Sequence, residues 1–236
     1  MRGQAAVETA LTLPLMLFMV LGTLQLFLLL QARLLTEHAA FSATRTGALS
    51  SGRCTRMVHA ALLTVLPSFT RTDSPGRVAN GFRMRSRNRF DVALDSGHDR
   101  EIVWLYNEVP GMTPRAGGPE DDGFDDPDRA QPLVLETRLV FWYPMRVPFA
   151  NWVIARSVLA AWGGARYQAV NPLSPTQTAD WRAVNRPATV TADVFNELDR
   201  RVTQRQYTFP IQATSAMRML TSPRQGGRFL TAGVCR

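Results

Sequence analysis

The N-terminal stretch decides the fold: residues 1–33 read MRGQAAVETALTLPLMLFMVLGTLQLFLLLQAR. No residue from position 9 to position 32 carries a charge. At about 1.5 Å rise per helical residue, residues 10–30 cover roughly 30 Å, the thickness of a bilayer hydrocarbon core. A cleaved secretory signal has a shorter apolar core and a basic segment before it. The stretch therefore predicts a membrane-spanning helix that continues past Arg33.

A glycine and a glutamate stand immediately before this apolar run, as Gly3 and Glu8. A carboxylate at the mouth of a transmembrane helix is costly, so it usually has a partner or a function. If the chain is cut after Gly3, Gln4 becomes a free α-amino terminus, and Glu8 lies one helical turn further along the same face. The ammonium and the carboxylate can then pair within one subunit or between stacked subunits. Alternatively, Glu8 is an interfacial residue at a helix start, where the macrodipole favours an acid.

The segment from Arg2 to Leu15, with Gln31-Ala32-Arg33 after it, resembles the N-terminus of TadE-like minor pseudopilins. These proteins belong to the tight-adherence (Tad/Flp) branch of the type IV pilus superfamily. The family pattern is R-G-x-x-x-V-E-F followed by an apolar helix with an early proline. Here Thr9 replaces the usual phenylalanine, and Pro14 is the early proline. Residues 213–218 are similar to the closing strand of such proteins.

The resemblance implies a role in assembly. A prepilin peptidase would cut between Gly3 and Gln4, and the chain would initiate, cap or diversify a Tad-type pilus or a related secretion filament. Its partners would be other pseudopilins, the major pilin, the peptidase and the inner-membrane assembly platform. A membrane-anchored periplasmic scaffold or binding protein that never enters a filament is the alternative.

Three segments follow from this interpretation: a leader over residues 1–3, a transmembrane and assembly helix over 4–50, and a head over 51–236. A head of this size translocates largely regardless of its charge. We therefore expect a single-pass protein of the bacterial inner membrane, with a cytoplasmic N-terminus and a periplasmic head that reaches the cell surface after assembly.

The expected fold class is α+β, a pilin-like long helix followed by a mixed head with a small antiparallel sheet. Patterns of apolar residues predict the elements of the head. Helices are expected over 57–66, 150–162 and 192–206, strands over 101–106, 132–143 and 207–220, and loops over 68–81 and 171–187.

The two cysteines are Cys54 and Cys235. In an oxidising compartment an even pair suggests a disulfide, although two unrelated thiols would give the same count.

Two oppositely charged stretches stand out in the head. Arg83, Arg85, Arg87 and Arg89 recur with period two, which on a strand would place all four on one face. Such a face is either a solvated edge that discourages strand addition or a contact surface for an acidic neighbour, a lipid headgroup or a polyanion. The acidic run from Glu120 to Asp128 is a solvated loop, a partner for the arginines, or a calcium site. The candidate calcium ligands are Asp121, Asp122, Asp125 and Asp126.

Other functions have no support in the sequence. The net charge of +8 raises the question of nucleic acid, but no nucleic-acid-binding signature occurs and a membrane span argues against one. His38, His59 and His98 show no metal-ligand spacing, and no nucleophile elbow, Walker A loop or zincin motif is present. We expect no enzyme activity and no cofactor.

Overall fold

The computed structural model describes residues 2–95, 97–110, 132–163, 192–224, 226, 229–230 and 234–235. Five α-helices and four strands lie in these ranges. Their bounds are α1 Arg2–Leu49, α2 Cys54–Val65, α3 Pro75–Arg85, β1 Val103–Glu108, β2 Val134–Pro144, α4 Ala150–Gly163, α5 Ala192–Thr203, β3 Thr208–Arg218 and β4 Val234–Cys235. The α+β class with one long N-terminal helix is confirmed.

Helix α1 runs without a break through Pro14 and ends where the backbone turns left-handed. Ser51 has φ +57° and Gly52 has φ +75°. The N–H groups of Ser50 and Gly52 both donate to the carbonyl of Gly47, at 3.0 and 2.9 Å. Such a left-handed end satisfies carbonyls that a helix terminus would otherwise leave without partners. A Cβ at Gly52 would also lie 2.5 Å from Leu230 Cγ, so space and conformation both require glycine.

The chain divides into two compact units. The first unit combines Met1–Leu28 with Pro144–Phe209, and the second combines Leu29–Tyr143 with Pro210–Arg236. Helix α1 contributes to both units, and the expected segments 1–3, 4–50 and 51–236 stay predictions.

In the first unit, α4 and α5 contact each other. Helix α5 has one strongly apolar face, on which Phe195 and Leu198 are buried. The side chains of Glu197 and Arg201 are 8% and 0% exposed and form an ion pair of 2.9 Å one turn apart. The pair neutralises two charges that this face would otherwise bury singly.

In the second unit, the sheet has the order β3-β2-β1-β4. Strands β1 and β2 are antiparallel, with Val103 opposite Phe141 and Glu108 opposite Glu136, and β4 pairs antiparallel with β1. The buried residues of β1 and β2 form the core, where the rings of Trp104 and Trp142 meet edge to face at 5.1 Å. The expected small antiparallel sheet is therefore present.

The expectation for residues 68–90 is wrong. A loop over 68–81 was expected, and the arginines from Arg83 were considered as one face of a strand, but α3 occupies Pro75–Arg85. Ser74 caps this helix by accepting from Arg77 N, and Pro75 stands at its first position. Serine followed by proline is a typical helix start. This local signal contradicts the strand that the spacing of the arginines suggests. The acidic run of residues 120–128 and the expected loop over 171–187 lie outside the described residues.

Candidate functional site: the N-terminal helix

The backbone of α1 already includes the residues of the expected processing signal. Gln4 and Glu8 are four positions apart in continuous helix. The side chains of Gln4 and Glu8 lie outside the described part of the molecule. Pairing between a Gln4 α-amino group and the Glu8 carboxylate therefore stays a prediction.

The middle of α1 exposes its apolar side chains. Residues 12–49 contain an 18-residue window with a mean hydropathy of 2.3, of which only 6% is buried. Leu15, Met16 and Phe27 are 63%, 70% and 66% exposed. A contiguous exposed apolar surface of this extent marks a contact with a membrane or with a partner protein. This helix is long and apolar enough for one membrane span.

An exposed apolar stripe with a spacing of seven residues runs along α1. Its members are all 46–66% exposed and are Leu13, Val20, Phe27, Leu34 and Phe41. A coiled-coil seam has apolar residues at two positions of each heptad, and this stripe supplies one of the two. Two members, Leu34 and Phe41, lie beyond Arg33, where the charge-free run has ended. We call these five residues the heptad stripe.

The opposite face of α1 carries small residues. In the second unit this face is buried within the chain itself; its members are Ala32, Thr36, Ala39, Ala40, Ala43, Thr44, Gly47 and Ala48. A Cβ at Gly47 would lie 2.6 Å from Leu135 Cδ2 and 2.7 Å from Met57 Sδ. The small residues let α2 and the sheet approach α1, so they are not available to a neighbouring subunit.

The four arginines that were expected on one strand face are separated in the structure. Arg83, Arg87 and Arg89 are exposed, but Arg85 is buried. Its guanidinium makes two hydrogen bonds with Asp95, from Nη2 to Oδ1 at 2.7 Å and from Nε to Oδ2 at 3.0 Å. Arg85 is therefore an internal structural residue and the prediction of a shared arginine face is wrong. The acidic run of residues 120–128 lies outside the described residues, so its pairing with the exposed arginines stays a prediction.

Cys54 and Cys235 are joined as a disulfide, with Cα atoms 5.5 Å apart. The bond lies beside β1, where Asn107 Nδ2 is 3.4 Å from Cys235 Sγ. It connects the start of α2 with the last strand, 181 positions later in the chain. It thus fastens the C-terminal strand next to the end of α1.

The described residues contain no group of three or more His, Cys, Asp or Glu side chains that could hold a metal ion. His59 contacts the backbone carbonyl of Ser86, and His98 contacts that of Asp95. Both contacts are with backbone inside the head. The calcium candidates Asp121, Asp122, Asp125 and Asp126 are outside the described residues.

Sequence reasoning gave no role to Gln25, the amide in the middle of the apolar run. Gln25 is fully buried, and its Oε1 accepts a hydrogen bond of 3.0 Å from Val147 N. A polar residue in a predicted span was the available signal, because such residues usually have a partner.

The apolar helix that follows Gly3 and Glu8 is the part of the chain that matches a known family. Residues 3–45 match the family model of TadE-like proteins. This match is consistent with a TadE-like protein of the Tad pilus system, and the resemblance inferred from the sequence is confirmed over this segment. TadE-like proteins are structural pilus components rather than enzymes, so the TadE-like segment suggests a Tad pilus-associated protein that contacts other pilus components. Neither a curated protein nor a solved structure is significantly similar to the chain.

Proposed function

We propose that this chain is a membrane-anchored minor pseudopilin that acts in the assembly, initiation or capping of a Tad-type pilus or related secretion filament. The observation that carries the proposal is one helix that combines the TadE-like signal with an exposed apolar surface along its length. The head stays on the periplasmic side and the N-terminus starts on the cytoplasmic side.

Processing supplies the first chemical step. Hydrolysis of the Gly3–Gln4 peptide bond by a prepilin peptidase releases the leader and leaves an ammonium on Gln4. In a low-dielectric environment this ammonium needs a counter-charge, and Glu8 is one helical turn away. Pairing of the ammonium with Glu8 of the same or a neighbouring chain would fix the axial register of stacked helices more than it would add net stability.

The heptad stripe favours assembly over a permanent scaffold. A helix that only anchors a head needs apolar residues within the membrane and a polar exposed face outside it. Leu34 and Phe41, 62% and 46% exposed, continue the stripe beyond the charge-free run. In a filament they would pack against the helix of a neighbouring subunit, where their burial contributes the hydrophobic free energy that the isolated chain lacks.

The experiment is mass spectrometry of the full-length protein purified from the membranes of cells with an active prepilin peptidase. We expect Gln4 as the first residue, and retention of residues 1–3 when Gly3 is replaced by Ala. Glu8→Ala should be inserted into the membrane normally but should be depleted from sheared filaments. Glu37→Ala is the matched control, because Glu37 is an exposed acid on the same helix whose pair with Arg33 is 52–60% exposed. An intact leader in the wild-type protein would refute the pseudopilin proposal, and equal incorporation of both variants would remove Glu8 from it.

A further inference from the structure

A second apolar element accompanies the transmembrane helix within the first unit. The turn that leads into α4 contacts α1 at two levels. Phe149 packs edge to face on Phe18, with ring centroids 5.8 Å apart, and Val147 N donates to Gln25 Oε1 at 3.0 Å. Both α1 residues lie inside the charge-free run.

These contacts fix the depth of the turn relative to the helix. Phe18 precedes Arg33 by 15 positions (33 − 18), or about 22 Å along a helix. If α1 spans a bilayer, Phe18 lies in the hydrocarbon, and a ring packed on Phe18 lies at the same level. The inference thus rests on the proposed membrane anchoring of α1.

We propose that the segment from Pro144 to Gly163, which we call the α4 hairpin, enters the hydrocarbon core beside the span, with Phe149 reaching about its middle, and contacts lipid there. Its 14-residue helix is about 21 Å long, too short to cross a hydrocarbon core of roughly 30 Å. The hairpin is therefore a re-entrant or interfacial element, and α1 remains the one candidate span among the described residues.

The exposed surface of the α4 hairpin fits this environment. Phe149 and Trp152 are 56% and 47% exposed, and Arg156 follows Trp152 by one turn on the same exposed face. Phenylalanine suits hydrocarbon, tryptophan is enriched at the membrane interface, and arginine binds anionic headgroups.

Several backbone positions of the turn either lack an N–H group or donate it within the first unit. Pro144 and Pro148 have no N–H group, Met145 N donates to Tyr207 O at 3.0 Å, and Ala150 N donates to Pro148 O at 2.8 Å. The N–H of Val147 is satisfied by Gln25. Non-helical backbone is tolerated at membrane depth only when its polar groups have such internal partners. Gln25 is accordingly a positioning residue that holds the turn against α1.

Nitroxide accessibility measured on the full-length protein in liposomes with anionic lipid tests the proposal. Labels are attached to Phe149→Cys and Trp152→Cys, and the native cysteines do not react because they form a disulfide. Leu24→Cys is the reference for the span, and Leu94→Cys is the reference for the head; these side chains are 52% and 60% exposed. We expect labels at 149, 152 and 24 to favour oxygen over a water-soluble nickel chelate several-fold more than the label at 94.

The outcomes separate the two proposals. If the label at 24 reports lipid while those at 149 and 152 behave like 94, the α4 hairpin is aqueous and the inference is overturned while the anchor stands. If the label at 24 itself behaves like 94, the membrane anchor is refuted and the inference falls with it.

The same label at 152 tests Gln25. Gln25→Leu removes the acceptor for Val147 N and should increase the mobility of the label and lower its preference for oxygen. Thr23→Val is the matched control, because the Thr23 hydroxyl donates to Met19 O within α1 at 2.7 Å. An unchanged spectrum in Gln25→Leu would show that Gln25 does not position the hairpin.

Discussion

Replacing Asp95 by Asn should strongly destabilise the second unit. The side chains of Arg85 and Asp95 are only 4% and 1% exposed. Asp95 Oδ2 also accepts from Asp91 N at 2.8 Å, while the Arg85 guanidinium lies 5.3 Å from the centroid of the Phe69 ring. The substitution preserves the shape of the side chain but leaves the Arg85 charge buried without a counter-charge.

The expected loss is about 3–5 kcal/mol, the usual cost of breaking a buried pair by neutralising one partner. A domain has about 5–15 kcal/mol of stability in all, so the loss is a large share. With a urea m-value of about 2 kcal/mol/M, a loss of about 4 kcal/mol lowers the unfolding midpoint by about 2 M.

The assay is urea unfolding of the detergent-solubilised full-length protein, followed by the near-ultraviolet circular dichroism of the Trp104–Trp142 pair in the same unit. Asp73→Asn is the matched control. Asp73 and Arg77 are 2.6 Å apart but 61% and 54% exposed, and such a pair contributes about 0–1 kcal/mol. Equal midpoint shifts for the two variants would show that burial does not govern the strength of the Arg85–Asp95 pair.

Two further predictions concern the disulfide and the heptad stripe. Cys54→Ser should lower the stability of the second unit by up to about 5 kcal/mol in the loop-entropy account, because the bond closes a separation of 181 positions. The bridge itself is checked by electrophoresis of the wild-type protein with and without thiol, where reduction should change the mobility. An unchanged mobility after reduction would contradict the bridge. The double change Leu34→Ser and Phe41→Ser should leave membrane insertion intact and reduce recovery in sheared filaments, since both residues are exposed in the isolated chain. Changing the exposed Val92 and Leu94 of the head to Ser is its control, and equal recovery of the two double variants would argue against helix packing through the stripe.

Much of the fold could be predicted from local sequence patterns. The bounds of β2, α4, α5 and β3 differ by only a few residues from those expected, because each has a clear apolar period between breakers. The glycine–glutamate signal likewise rests on residues adjacent in the chain, and the match to TadE-like proteins over residues 3–45 follows the same local signal.

The prediction of a shared arginine face was wrong because arginine at every second position also occurs by chance in a helical segment. The partner that decides the matter is Asp95, ten positions after Arg85, and only the folded chain brings the two together at 2.7 Å. Ser74 followed by Pro75 is a local signal for the start of a helix.

The sequence by itself determined that α1 is one long helix with a charge-free core, since composition and period suffice to fix both. Tertiary structure decided which face of that helix remains exposed. Small residues such as Gly47 and Ala48 look equally suited to a neighbouring subunit or to the chain's own head, and the steric fit of Met57 and Leu135 against Gly47 assigns them to the head. The role of Gln25 was also decided by tertiary structure, because its Oε1 accepts a hydrogen bond from the N–H of Val147, which is 122 positions distant in the chain.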